Sequence, residues 1–201
     1  GFLNACLRRF VRERAALVAA TDADPLARWN HPPWWVQRLQ KDHPQHWQQI
    51  LQANNAPAPM ALRVNKQKGT VMQYQQALEA INIKSDVVAE SALLLRHPVP
   101  VHKLPGFDAG LISVQDAGAQ LAAPLLLQGL DLSKPLRVLD ACSAPGGKTA
   151  QLIELAPPGA PLQLTALEVD AVRSARIHAN LRRLGLHAQV LVADAARPQD
   201  W

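Results

Sequence analysis

Apolar and polar residues follow two different periods along this chain, and the period changes from one stretch to the next. Phe2, Leu3, Leu7, Phe10, Val11, Leu17 and Val18 recur at roughly helical spacing, which predicts a helix over 2–19. Thr21-Asp-Ala-Asp-Pro25 ends it. Two short helices follow, over 33–41 and 44–54, the second closed by Asn54-Asn55 and a proline-rich exit. The next stretch reads strand, helix, strand, strand: 60–64 is apolar with an inserted Arg63, 71–81 is helical, and 83–88 and 92–96 alternate or run apolar. A helix over 116–128, with Asp116 as N-cap, leads on. From Leu136 short apolar runs alternate with helical ones: strands over 136–140, 162–168 and 188–192, helices over 147–155 and 171–184. Asp170 stands where an N-cap is expected and Gly185 where a C-terminal cap is expected. Strands alternating with helices predict a parallel sheet, so the fold class is α/β. The pattern divides the chain into 1–20, 21–58, 59–115 and 116–201, the last holding a partial Rossmann-like sheet and the third a small α+β unit.

The chemistry concentrates at the first turn of that sheet. Arg137-Val-Leu-Asp140 ends a strand, Ala141 to Gly147 forms a tight loop with two glycines, and Lys148 opens a helix. Such a loop holds nucleotide-like ligands in α/β proteins. The next strand ends in Glu168, and a carboxylate there accepts hydrogen bonds from a ribose diol. Three ligands compete. A dinucleotide would call for G-x-G-x-x-G, but only Gly146-Gly147 is present. A nucleoside triphosphate would call for G-x-x-x-x-G-K-[ST]; residues 142–149 fit it except that Cys142 replaces the first glycine, and Pro145 has no N–H for a phosphate. The third is S-adenosyl-L-methionine, which needs backbone groups and small residues rather than an anion cradle. In that reading Gly146 and Gly147 allow close approach of the backbone, Pro145 stiffens the loop, and Lys148 pairs with a carboxylate of the ligand or a phosphate.

Asp140-Ala-Cys-Ser-Ala-Pro-Gly-Gly-Lys-Thr149 resembles motif I of the RNA cytosine-C5 methyltransferases, and Leu104-Pro-Gly-Phe-Asp-Ala-Gly-Leu-Ile-Ser-Val-Gln-Asp-Ala-Gly-Ala-Gln-Leu121 is similar to the segment leading into it in the bacterial branch. Gly1-Phe-Leu-Asn-Ala-Cys-Leu-Arg-Arg-Phe10 resembles the last helix of that family's NusB-like RNA-binding domain. The resemblance implies a class I methyltransferase domain using S-adenosyl-L-methionine, with Cys142, Ser143, Ala144, Pro145, Gly146, Gly147, Lys148, Glu168 and Asp194 at the cofactor, Asp194 facing its adenine amine. It implies small-subunit ribosomal RNA as partner and methylation of cytosine C5 as the reaction. In that family a thiolate from a Thr-Cys motif adds to C6, and a cysteine from a Pro-Cys motif assists release. Neither dipeptide occurs in this chain. It therefore reads as the RNA- and cofactor-binding part of a longer enzyme, with no catalytic residue of its own and no methyl transfer expected from it in isolation. A class-distinct reading is a non-catalytic RNA-binding protein on a degenerate cofactor fold.

Composition refines this picture in three places. Residues 1–68 carry ten Lys and Arg against four Asp and Glu, whereas the rest is close to balance. Arg8, Arg9, Arg12 and Arg14 form a basic helix suited to phosphates, and Arg63, Lys66 and Lys68 are candidate phosphate contacts on the α+β unit. The only cysteines are Cys6, expected as a core filler, and Cys142, expected to act through its backbone; two distant cysteines and no signal peptide fit a reducing cytoplasm. Trp29, Trp34, Trp35 and Trp47 are expected to anchor packing rather than stack on bases. No membrane span, no metal cluster and a monomeric state are expected.

Overall fold

The last sixty-odd residues fold as their apolar periods dictate. In a computed structural model that describes Gly1 through Trp201, the chain forms two units, Gly1–Ala58 and Pro59–Trp201.

The first unit is helical: α1 (Phe2–Ala23), α2 (Pro25–Trp29), α3 (Pro33–Asp42) and α4 (Trp47–Asn55). Helix α1 runs on past residue 19, with the Thr21 hydroxyl donating to the Leu17 carbonyl at 2.8 Å, and its backbone departs from helical geometry at Glu13. Asp24 then caps α2, accepting from the Leu26 N–H at 2.9 Å, so three short helices follow rather than two. The apolar residues Phe2, Leu3, Leu7, Phe10 and Val11 are exposed, Phe2 at 83%. Cys6 is exposed as well, against its expected role as a core filler. An amphipathic helix buries its stripe only where another layer covers it, and these first turns have none. Three of the four tryptophans pack as expected: Trp29 meets Trp47 edge-on at 4.9 Å and Trp35 is half-buried, but Trp34 is exposed.

The second unit opens with β1 (Met60–Val64), α5 (Val71–Glu79), β2 (Ser85–Ala89), β3 (Ala92–Leu95) and β4 (Ile112–Val114). They make an antiparallel sheet in the order β2-β3-β1-β4. Strand β4 was not anticipated by the apolar pattern. Leu62 and Val64 of β1 face a core with Val71, Tyr74, Leu78 and Leu93. Thr70 and Gln73 form a capping box at the start of α5. Burial pushes the Tyr74 phenol up to about 12, so it stays protonated and donates to the Pro105 carbonyl at 2.9 Å. In place of one helix over 116–128 there is a single 3-10 turn, Ala119–Leu121, and α6 (Ala122–Leu127). Pro124 has no N–H and tolerates only a first turn, which forces this late start. Asp116 is therefore not the N-cap of a helix; Gly118 precedes the turn, and the Asp116 side chain accepts from the Ala119 N–H at 3.0 Å.

Next come β5 (Leu136–Asp140), α7 (Gly147–Leu155), β6 (Leu162–Glu168), α8 (Ala171–Leu184) and β7 (Gln189–Val192). The three strands pair in parallel in sequence order, with β5 and β7 as edges. Leu164 packs with Leu152, Ala123 and Leu127, while Ala188 and Val190 lie against Ile177, Leu181 and Leu184. The opposite face, with Arg137, Leu139, Gln163, Thr165, Gln189 and Leu191, lines an open cleft. Asp170 and Gly185 cap α8 as expected, the glycine at φ 72°. Helix α7 is buried on several sides, including at Thr149, Gln151 and Glu154. A helix buried that broadly must find partners for its polar residues. The antiparallel sheet supplies one for Glu154 through Arg63 of β1, the parallel sheet one for Thr149 at Asp140, and the 3-10 turn one for Gln151 at the Gln120 carbonyl. No helix of the chain is long and apolar enough to cross a membrane.

Candidate functional site

The loop between β5 and α7 is held from within. Ser143 is buried, and both its N–H and its hydroxyl donate to the Leu167 carbonyl at 2.9 Å, so its side chain fastens the loop to β6 rather than facing outward. Ala144 packs beside Ile177, and the Ala144–Pro145 peptide bond is cis. Thr149, fully buried, donates to Asp140 at 2.6 Å, which ties the helix start to the strand end. Cys142, Pro145 and Lys148 are exposed.

The two glycines have different reasons to be there. Gly146 sits at φ 94°, and a Cβ on it would lie 3.2 Å from Ile177 Cγ2. Gly147 has ordinary backbone angles, and its nearest neighbour would be Gln115 Nε2 at 3.9 Å. As N-cap of α7, Gly146 brings no side chain to the first-turn N–H groups, leaving them for an anionic partner. Gly146→Ala should therefore cost about 1–3 kcal/mol in strain, whereas Gly147→Ala should change stability by less than about 1 kcal/mol. Thermal melts of both variants check this. Equal destabilisation of the two would contradict the geometry.

Three carboxylates stand at the C-terminal ends of the neighbouring parallel strands. Asp140 ends β5 and Glu168 ends β6, while Asp194 follows β7. Glu168 is 2% exposed. Its Oε1 accepts from the Asp170 N–H at 3.1 Å and lies 3.5 Å from Arg173 Nη1, but its buried Oε2 has no partner. Such a group is costly unless a partner completes it. Asp194 is half-buried; its side chain accepts from the Ala196 N–H at 2.9 Å. The structure thus gathers the loop, Glu168 and Asp194 at one end of the parallel sheet.

It does not leave Arg63 free to meet a phosphate. Arg63 is 2% exposed and forks onto Glu154, with Nε–Oε2 and Nη2–Oε1 both at 3.0 Å. Its Nη1 donates to the Gly147 carbonyl at 2.7 Å and to Gln115. Gln115 reaches Gln151, which donates to the Gln120 carbonyl at 2.6 Å. Lys68 is also committed, donating to the carbonyls of Ala109 and Leu184, and Gln67 donates to those of Ile153, Glu154 and Ala156 at the end of α7. Lys66 pairs with Glu90 at 2.6 Å. Arg183 on α8 lies over the Phe107 ring and donates to the carbonyls of Phe107 and Ile112; burial pulls its guanidinium below the usual arginine range. The signal for this arrangement was present: an arginine inside Met-Ala-Leu-Arg-Val and a glutamate inside Leu-Ile-Glu-Leu interrupt apolar runs, as buried ion partners do. By contrast Arg8, Arg9, Arg12 and Arg14 are exposed on α1, with Arg9 paired to Glu13.

Comparison with known proteins agrees with this architecture. Residues 31–102 match the Methyltr_RsmF/B-like ferredoxin-like domain, and residues 127–201 match the family 16S rRNA methyltransferase RsmB/F. The chain is 44% identical to Ribosomal RNA small subunit methyltransferase B of Vibrio cholerae over 204 residues, covering all of this chain and 45% of that protein. The protein of the same name from Pseudomonas syringae is 41% identical and that from Escherichia coli 39%, with 44% and 46% of their lengths covered. Among solved structures, a methyltransferase homolog protein from Pyrococcus horikoshii superposes with a TM-score of 0.69 at 26% identity, over 87% of this chain and 57% of that one. The fold is shared too by NSun6 from Pyrococcus horikoshii, solved with SFG, at a TM-score of 0.71 and 13% identity over 85% of this chain and 67% of that one. The chain spans a little under half the length of the curated relatives it matches, and it belongs to the RsmB/F family of 16S rRNA methyltransferases.

Proposed function

We propose that this chain provides the S-adenosyl-L-methionine site and part of the RNA-binding surface of an enzyme that methylates cytosine C5 in small-subunit ribosomal RNA. The observation carrying the cofactor assignment is Glu168: a buried carboxylate with one oxygen unpartnered, at the tip of β6 beside a glycine loop. The residues present fit that cofactor. Glu168 Oε2 has the lone pairs a ribose diol requires, and the uncapped start of α7 favours a carboxylate. A triphosphate would meet three carboxylates, Asp140, Glu168 and Asp194, at the same sheet end.

The loop from Cys142 to Lys148 would hold the methionine part, Glu168 the ribose and Asp194 the adenine. When bound, the cofactor supplies an electrophilic methyl group. The chain's residues bind and orient it: Ser143 and Thr149 fix the loop to β6 and β5. Lys148, exposed beside the loop, would meet either the cofactor carboxylate or an RNA phosphate. Arg8, Arg12 and Arg14, together with Arg9, would add salt-dependent RNA affinity. Membership of the RsmB/F family supports ribosomal RNA as substrate, and the motif I resemblance supports cytosine C5. A soluble cytoplasmic monomer fits this role.

Isothermal titration is expected to detect S-adenosyl-L-methionine binding that excess ATP does not compete away. Displacement by ATP would favour the triphosphate reading. Binding of RNA but of neither S-adenosyl-L-methionine nor ATP would favour a scaffold without cofactor.

A further inference from the structure

The carbonyls on either side of Gly146 are both held by side chains tied to the antiparallel sheet. Arg63, on β1, donates to the Gly147 carbonyl at 2.7 Å while its remaining donors fork onto Glu154 of the same helix. Asn180 of α8 donates to the Pro145 carbonyl at 3.5 Å and accepts from Arg183 at 2.9 Å. Arg183 in turn donates to the Phe107 and Ile112 carbonyls and to Ser113, the last two residues lying on β4. The pivot of the loop is therefore fixed from two strands that belong to a different sheet from the loop itself.

We propose that Arg63 is a positioning residue for the cofactor loop, with the Asn180–Arg183 relay as its second anchor, so that the antiparallel sheet and the cofactor site act as one device. This rests on the assignment of the loop to S-adenosyl-L-methionine. Gly146 is a swivel with positive φ, and apart from these bonds side chains tie the loop only at Ser143 and Thr149, on either side of the pivot. Fixing both flanking carbonyls removes motion that a ligand would have to freeze on binding. The antiparallel sheet thereby biases cofactor affinity without touching the cofactor, and a load on β1 or β4 reaches the loop through two hydrogen-bond routes.

The test uses the full protein and two readouts, hydrogen exchange of the backbone over residues 142–149 and the Kd for S-adenosyl-L-methionine. Because Arg63→Met alone leaves Glu154 buried and unpaired, the informative variant is R63M/E154M, which removes the pair together. At a temperature where the double variant is fully folded, exchange over 142–149 is expected to quicken about tenfold while α8 and β6 keep wild-type protection. The Kd is expected to rise about tenfold, and about threefold in Asn180→Ala. Arg63→Lys, which can reach the Gly147 carbonyl without the fork, should restore part of the affinity. Wild-type exchange over the loop in R63M/E154M would overturn the proposal, whatever the ligand does. Affinity unchanged in R63M/E154M but weakened in Glu168→Gln would overturn it while leaving the site assignment intact. Affinity unchanged in Glu168→Gln as well would indict the site assignment, and the exchange data would still decide on the loop.

Discussion

Glu168→Gln is expected to weaken S-adenosyl-L-methionine binding by about 10- to 150-fold, the equivalent of about 1.5–3 kcal/mol for hydrogen bonds to a charged group. The substitution keeps the length and shape of the side chain, and Oε1 can still accept from the Asp170 N–H. What it removes is the charge and the acceptor character of Oε2, which is buried without a partner. The amide nitrogen that takes its place donates and can accept from neither hydroxyl of a ribose diol. Folding should be little affected. The pair with Arg173 is long at 3.5 Å and the arginine is half-exposed, so its loss costs little, and a buried charge is removed at the same time. The melting temperature should stay within about 4 °C of wild type. A variant that binds normally would show that Oε2 faces no ligand. One that unfolds would show the carboxylate to be structural. Titration and a melt on the same preparation separate the two.

How legible this site was depends on how local its signals are. The loop, Glu168, Asp170 and Gly185 announce themselves within a few residues, since a strand tip, a cap or a positive φ is a property of the immediate sequence. The boundaries of α7, β6 and α8 follow for the same reason: β6 and the helices have clean periods, with caps at both ends of α8. Strand β4 escaped because three residues carry no period, and its partner β1 lies far upstream. Arg63 was misjudged because its partners, Glu154 and Gly147, come from the next sheet's first helix, which no local pattern connects to β1. Charge told that Arg63 was out of place in an apolar strand; only packing told what it was for. The apolar stripe of α1 taught the converse: Phe2, Leu3 and Leu7 specify a face for burial, yet that face is exposed here.

Arg63→Met should be the most destabilising single change in the second unit, at about 3–5 kcal/mol. The size follows from what is left behind rather than from what is lost. Glu154 would remain in the interior with its side chain 4% exposed and both oxygens deprived of the guanidinium fork. Gln115 and the Gly147 carbonyl would each lose a donor as well. At about 2–4 °C for each kcal/mol in a chain of this size, the melt should fall by roughly 6–20 °C. R63M/E154M should recover at least about 2 kcal/mol of that loss, because the second substitution removes the stranded carboxylate and fills its volume with apolar atoms. Full recovery is not expected while Gln115 and the Gly147 carbonyl stay unpaired. Denaturant melts of the single and double variants give the coupling directly. Strictly additive losses, or a cost below about 1 kcal/mol for Arg63→Met, would mean that water or a rearranged Gln115 satisfies Glu154. The ion pair would then not be what holds α7 between the two sheets.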